Sequence, residues 1–200
     1  MKISEILNSI FFPRKTEYNS DEKDYLVHVD KNVNVGIRMF IASNNSPTIL
    51  FFHANAEITH EYDDIAQMYN KYNINFIVSG YRGYGLSNGQ PSMDTSLEDS
   101  LKIFDFVLDH LKSLKNKNHL VVMGRSLGST SASHLMLKRE QEIDGAIIDS
   151  GFATEYPFLL RFGLDPEEIN FSLSDGFNNL KKIKYFKKPF LIIHADMDEI

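Results

Sequence analysis

Short apolar runs recur along the chain, and most of them are continuous rather than alternating. They are TILFF (48–52), INFIVS (74–79), LVVMG (120–124), GAIID (145–149) and PFLIIH (189–194). Strands of a parallel sheet covered on both faces show this pattern, because neither face meets water. We therefore predict that these runs form buried parallel strands.

Partial alternation precedes these runs and predicts a β-hairpin. The segments YLVHV (25–29) and VNVGIRMFI (33–41) are rich in β-branched residues and flank a turn at 30–32. Such a pair is typical of an antiparallel edge added to a parallel sheet.

Helical periodicity separates the later strands, at about 58–72, 95–114 and 127–140. The second helix is predicted to open at Thr95 or Ser96. Alternating strands and helices predict one α/β domain over residues 1–200, with a mostly parallel central sheet and helices on both faces.

Composition and charge limit the classes of function that this chain can have. Hydrophobic residues make up 42% and charged residues 24% of the 200 residues, as in globular domains. The net charge of −6 leaves no basic field for nucleic acid, which we do not expect as a partner. Without cysteine there is no disulfide or thiolate metal site, and we expect neither metal nor cofactor.

The N-terminus shows no continuous apolar core of a signal peptide and no stretch long enough to span a bilayer, so we expect a cytoplasmic protein. Ile3, Ile6, Leu7 and Ile10 share one helical face. Because the opposite face is not strongly basic, we expect this helix to pack on the domain rather than on a membrane surface.

The candidate chemistry lies in GRSLGS (124–129), which contains a G-x-S-x-G pattern. Chance alone would produce this pattern in roughly one such chain in twenty, but here it joins a buried strand to a helix. A serine on that turn is lifted clear of the sheet, and side chains two residues away would collide. We predict that Ser126 is a nucleophile.

Hydrolysis also needs donors for the oxyanion that forms on the attacked carbonyl. The free amides at the start of the following helix, including that of Leu127, point toward this position. A second donor is expected from the loop FFHANAE (51–57), whose small residues let a substrate approach the backbone.

These motifs resemble those of the α/β-hydrolases, in particular the small serine hydrolases of the Bem46/ABHD type. The resemblance also rests on FFPR (11–14), SGYRGYGLSNGQPS (79–92) and LIIHADMDE (191–199), and it covers nearly all of residues 11–200. It implies Ser126 as the nucleophile, the amides of Leu127 and Asn55 as the oxyanion hole, and Asp198 as the triad acid.

Two features depart from the family pattern. The usual His-Gly pair is His-Ala at 53–54 and again at 194–195, which bears on the angle of the first loop. The chain order of this fold is Ser, acid, His, yet no histidine follows Asp198. We expect the natural protein to continue past Ile200 with a strand, a histidine-bearing loop and a closing helix.

Other candidates are weaker. Asp149 and Asp196 are rivals for the triad acid, but the family motif favours Asp198. His53 and His194 are interpreted as loop anchors, and the remaining histidines as surface or satisfied residues: His28, His60, His110, His119 and His134. HEYDD (60–64) lacks the second histidine of a zinc motif, and GYRGYG (80–85) lacks the dinucleotide spacing.

The connection 150–188 is predicted to be a short cap, with helices beginning at 165–166 and near Asp175. Its segment FATEYPFLLRFGL (152–164) predicts a small, open, apolar acyl pocket. The sequence therefore predicts a serine esterase or thioesterase acting on a small acyl substrate through acyl-Ser126. The alternative is a non-catalytic hydrolase-fold binding or scaffold protein that lacks the histidine.

Overall fold

A central sheet of seven strands organises the structure, a computed structural model that describes residues 3–196. The strands are β1 (Asp24–Asp30), β2 (Val33–Phe40), β3 (Thr48–Phe52), β4 (Asn75–Ser79), β5 (Leu120–Arg125), β6 (Gly145–Asp149) and β7 (Phe190–Ile193). Their order is β1-β2-β4-β3-β5-β6-β7, and all pairs from β4 to β7 are parallel. The hairpin β1–β2 adds the antiparallel edge. The predicted α/β class is confirmed.

Six α-helices lie between or beside the strands in the described residues: α1 (Ile3–Asn8), α2 (Asp63–Lys71), α3 (Met93–Ser113), α4 (Gly128–Lys138), α5 (Tyr156–Arg161) and α6 (Asn179–Lys184). Short 3-10 helices cover Thr59–Tyr62, Glu140–Glu142 and Leu173–Asp175. The predicted helix at 58–72 thus begins as a 3-10 turn and continues as α2.

The start of α3 differs from the prediction. Ser92, not Thr95 or Ser96, is the N-cap, because Ser92 has the extended backbone of a cap residue. Its hydroxyl accepts from the Thr95 amide (3.1 Å), and the Thr95 hydroxyl accepts from the Ser92 amide (2.9 Å). This reciprocal pair places the first turn three residues earlier.

The sheet is apolar on both faces, which explains its continuous hydrophobic runs. Leu50 and Phe52 belong to the larger core, with Phe104 of α3 and Leu135 of α4. The intervening Phe51 joins the smaller core on the opposite face, which also contains Tyr62, Ala66, Phe76 and Val78. Because successive side chains of a strand point to opposite faces, residues of the inner strands enter one core or the other. The prediction of a buried strand at 189–194 was wrong in its burial, because β7 lies at the edge of the sheet and all four of its side chains are exposed.

The cap connection contains less helix than predicted. Residues 166–170 form turns, in which the amide of Phe171 bonds to the carbonyl of Pro166 (2.8 Å), and the left-handed Asn170 (φ +51°) ends them. The helix predicted near Asp175 is only the 3-10 turn Leu173–Asp175, and α6 begins at Asn179. Both predicted starts were wrong. The Asp165 carboxylate caps only a turn, by accepting from the Glu167 amide, and Asp175 ends the 3-10 turn, with its carboxylate accepting from the Ser172 amide.

The N-terminal helix α1 packs on the cap. Ile6 and Leu7 are buried in a small cluster with Leu159 and Phe171. The side chain of Ile3 lies outside the described residues. Within residues 3–196 none of the helices has the length and apolarity that a bilayer crossing requires.

Candidate active site

Ser126 occupies the turn between β5 and α4. Its φ is +49°, in the left-handed region that non-glycine residues rarely adopt. Its amide donates to the carbonyl of Asp149 (2.9 Å), the last residue of β6, and its carbonyl accepts from the amide of Ser129 (2.9 Å). These two bonds hold a strained turn at the carboxyl edge of the parallel strands.

The glycines on either side of Ser126 are required by packing. A Cβ atom at Gly124 would lie 2.2 Å from the carbonyl oxygen of Gly128. A Cβ atom at Gly128 would lie 2.0 Å from the carbonyl oxygen of Phe52 on β3. Both obstacles are backbone atoms, so the strand, the turn and the helix approach this closely only with glycine at both positions.

The elbow offers an uncommitted amide at Leu127. The neighbouring amides of Ser126 and Ser129 already donate to backbone carbonyls. Nothing in the described part of the chain accepts a hydrogen bond from the Leu127 amide. The Leu127 side chain is buried in the core, which fixes its backbone at the N-terminus of α4. The Leu127 amide is therefore available as a donor, and its assignment to the oxyanion hole stays a prediction.

The loop after β3 offers a second uncommitted amide. Phe52 pairs with Gly124, so this loop leaves the sheet beside the elbow. The Ala54 amide donates to the Glu57 carboxylate (2.8 Å), and the Ala56 amide donates to the Asn55 side-chain oxygen (2.9 Å). Between them, the Asn55 amide has no acceptor among residues 3–196.

The substitution of alanine for the family glycine at position 54 adds no backbone strain. The left-handed residue of this loop is Ala56 (φ +59°), and Ala54 is not in that region. An L-residue is therefore accommodated at 54 without cost.

The Asn55 side chain joins three of the sequence motifs. Its oxygen accepts from the Tyr84 hydroxyl (2.7 Å) and the Phe12 amide (3.0 Å), and its amide nitrogen donates to the Ile10 carbonyl. The segments FFPR, HANAE and GYRGYG therefore meet around one side chain. The sequence analysis did not single out Tyr84, although its place in the glycine-rich segment was a signal.

His53 is a buried anchor of the same loop. Its Nδ1 donates to the Ala54 carbonyl (2.7 Å), and its ring packs edge-on against Tyr81 (4.9 Å). Burial lowers the pKa of His53, so the ring is neutral.

The acid of the predicted triad is not tested by the structure, because Asp198 lies outside the described residues. Of its rivals, Asp149 has a carboxylate oxygen 3.7 Å from the Arg125 guanidinium, and Asp196 is exposed. His194 follows β7 on the exposed side of the sheet. The assignment of Asp198 stays a prediction.

The remaining polar motifs have structural partners. Arg82 of the glycine-rich segment is buried against Asp99 (2.7 Å). His60 of HEYDD lies 3.3 Å from Asp24, and across residues 3–196 no cluster of three or more His, Asp or Glu could hold a metal ion. The interpretation of His60 and His134 as surface or satisfied residues was wrong. Both ring nitrogens of His60 and the Nδ1 of His134 are buried without a hydrogen-bond partner, although His60 lies close to Asp24.

The cap divides into packing and exposed residues. Phe152 contacts Phe158 (4.9 Å between ring centroids) and Phe177, which places these rings in the core. Tyr156 and Leu160 instead line an open cavity of about 690 Å³ together with Asp165, Pro166, Glu167, Asn170 and Phe171. This recess is lined by polar and apolar side chains in similar proportion, so the predicted apolar acyl pocket stays a prediction.

The sheet order and the serine elbow define an α/β-hydrolase. The family described as Serine aminopeptidase, S33, matches residues 43–160. The chain belongs to this family, and within the α/β-hydrolases it is of the Bem46/ABHD type.

Similar proteins extend over most of the chain. Protein bem46 of Schizosaccharomyces pombe is 26% identical over 196 residues, which cover 94% of this chain and 64% of that protein. Lysophosphatidylserine lipase ABHD12 of Xenopus tropicalis is 30% identical over 178 residues, which cover 80% of this chain and 45% of that one. The chain thus spans less than two thirds of either relative.

Solved structures share the fold. Est1E of Butyrivibrio proteoclasticus with bound ferulic acid superimposes with a TM-score of 0.67 at 19% identity, over 88% of this chain and 80% of that one. The Pyrococcus furiosus esterase Pf2001 superimposes with a TM-score of 0.66 at 18% identity, over 90% of this chain and 74% of that one. At this identity the likeness supports the fold alone.

Proposed function

We propose that this protein hydrolyses carboxylic esters through a covalent acyl-Ser126 intermediate. One observation carries the proposal: a strained serine on the elbow is followed by the uncommitted amide of Leu127, and the neighbouring loop after β3 has a second uncommitted amide at Asn55. Strained backbone of this kind occurs preferentially at functional sites, and here it coincides with the glycine-flanked turn between a strand and a helix.

The chemistry follows from these positions. The Ser126 hydroxyl oxygen attacks the ester carbonyl while its proton passes to a histidine base oriented by Asp198. The amides of Leu127 and Asn55 donate to the oxyanion of the tetrahedral intermediate. The C–O bond to the alcohol then breaks, the base protonates the leaving alcohol, and water releases the acid from Ser126 by the reverse sequence.

The names of the similar proteins support an ester substrate. One relative, by its name, is a lipase of lysophosphatidylserine, which is a lipid ester. The family description names a peptidase, so a thioester and an aminoacyl amide belong in the same assay.

The test uses the whole natural protein and a fluorophosphonate probe. We expect one adduct, located on Ser126, and turnover of short-chain esters that falls by several orders of magnitude in Ser126→Ala, because nucleophile and base act as a unit. Ser129→Ala is the matched control, since its hydroxyl is buried on the same turn without a hydrogen-bond partner. Equal near-background rates for wild type and Ser126→Ala would instead support the non-catalytic alternative.

A further inference from the structure

Glu57 holds the loop that presents the Asn55 amide. One carboxylate oxygen, Oε2, accepts both the Ala54 amide (2.8 Å) and the Tyr62 hydroxyl (2.5 Å). Tyr62 is 4% exposed and packs against Phe51 of β3 (4.8 Å between ring centroids). The carboxylate is thereby tied to the rigid core rather than to solvent.

Ala54 is held at both of its backbone polar atoms. Glu57 takes its amide, and the buried His53 ring donates to its carbonyl (2.7 Å). That carbonyl and the Asn55 amide belong to one planar peptide unit and point in opposite directions. Fixing the carbonyl toward His53 therefore fixes the direction in which the Asn55 amide points.

The same carboxylate reaches the elbow. Its other oxygen, Oε1, lies 3.5 Å from the guanidinium of Arg125, the residue before Ser126, and Arg125 also approaches Asp149 (3.7 Å). These ion pairs are half-exposed and long, so they contribute little stability. They do place one acidic group between the two loops that supply the proposed oxyanion donors.

We propose that Glu57 is a positioning residue for catalysis: its bond to the Ala54 amide holds one side of this residue, so that His53 can hold the next peptide unit with the Asn55 amide toward the oxyanion. The inference rests on the proposed function of Ser126. Glu57 touches no substrate, and its effect is confined to the intermediate, because the donor it orients meets a full negative charge only there.

The test compares Glu57→Ala with Glu57→Gln in the whole natural protein. Removing one oxyanion donor costs about 10²–10³ in kcat, so a misdirected donor in Glu57→Ala should lower kcat about 10- to 100-fold with KM within about twofold. Glu57→Gln keeps an acceptor for Ala54 and should retain most of kcat. A trifluoromethyl ketone, whose adduct places an oxyanion at the same position, should lose affinity in parallel with kcat.

Tyr62→Phe is the second variant, because it removes one donor to Glu57 and leaves the ring in the core. We expect about a 2- to 10-fold loss of kcat, because the Glu57 carboxylate keeps its bond to the Ala54 amide. The inference is overturned if Glu57→Ala keeps kcat, if Glu57→Gln loses as much as Glu57→Ala, or if inhibitor affinity does not follow kcat. Failure of the fluorophosphonate to label wild-type Ser126 would instead overturn the proposed function.

Discussion

Gly128→Ala separates helix propensity from tertiary packing. Alanine is favoured over glycine in a helix by about 1 kcal/mol, so local reasoning predicts a gain in stability. In the structure, the new Cβ atom would lie 2.0 Å from the carbonyl oxygen and 2.6 Å from the carbonyl carbon of Phe52. Phe52 pairs with Ser79 on one side and Gly124 on the other, so it cannot retreat.

The expected cost exceeds ordinary overpacking. Added methylenes in a packed core cost about 1–3 kcal/mol when side chains can adjust, and here a helix must move away from a central strand. We expect a loss of at least about 3 kcal/mol in the free energy of unfolding. For a chain of this size that corresponds to a fall in Tm of roughly 6–12 °C.

Thermal unfolding of purified wild type, Gly128→Ala and Ser129→Ala measures this effect. Ser129→Ala removes a buried hydroxyl that lacks a hydrogen bond, on the same helical turn, and should leave Tm within about 3 °C. A Gly128→Ala protein with a Tm equal to or above that of wild type would refute the packing argument. Helix propensity would then determine the effect of the substitution.

Two further predictions concern buried polar groups. Asn75 is fully buried, and its side-chain oxygen accepts from the amides of Ala42 (2.8 Å) and Ser43 (3.2 Å). Asn75→Ala should therefore lower the free energy of unfolding, measured in urea, by about 2–4 kcal/mol. A loss below about 1 kcal/mol would contradict this. Burial, aided by Lys182 and Lys138, lowers the pKa of His134 from 6.5 to about 4. The unfolded state therefore takes up the proton first, and stability should fall as pH drops from about 6.5 to about 4. His134→Leu should flatten this part of the pH–stability curve, whereas parallel curves for variant and wild type would count against the assignment.

The local pattern of apolar residues was sufficient to locate the strands. The run 48–52 coincides with β3, and 145–149 coincides with β6, because a strand buried on both faces must be apolar throughout. Capping was harder to predict. Thr95 has the chemistry of a cap, but in the structure it serves Ser92 from the third helical position, and only the backbone conformation distinguishes the two roles.

The residues of the site also differ in how far the sequence predicts them. The spacing of Gly124, Ser126 and Gly128 pointed to the elbow, since a close approach of strand and helix excludes side chains wherever it occurs. The partners of Asn55 could not be predicted, because Phe12 and Tyr84 are 43 and 29 residues away along the chain. Nor does the sequence reveal that the Nδ1 atom of His134 is buried without a hydrogen-bond partner, since burial depends on which helix packs against it.

By itself, then, the sequence determined the α/β class, the strand positions and the serine turn, all of which follow from the period of apolar residues or from backbone space within a few residues. The tertiary structure decided that the amides of Leu127 and Asn55 have no acceptor among the described residues. It also decided that the Glu57 carboxylate holds the loop that contains Asn55. The bond from the Ser126 amide to Asp149 joins distant segments and exists only once the sheet has brought β5 beside β6. The bonds to Glu57 join residues only three and five positions away, but they depend on a loop conformation that the local pattern of residues does not specify.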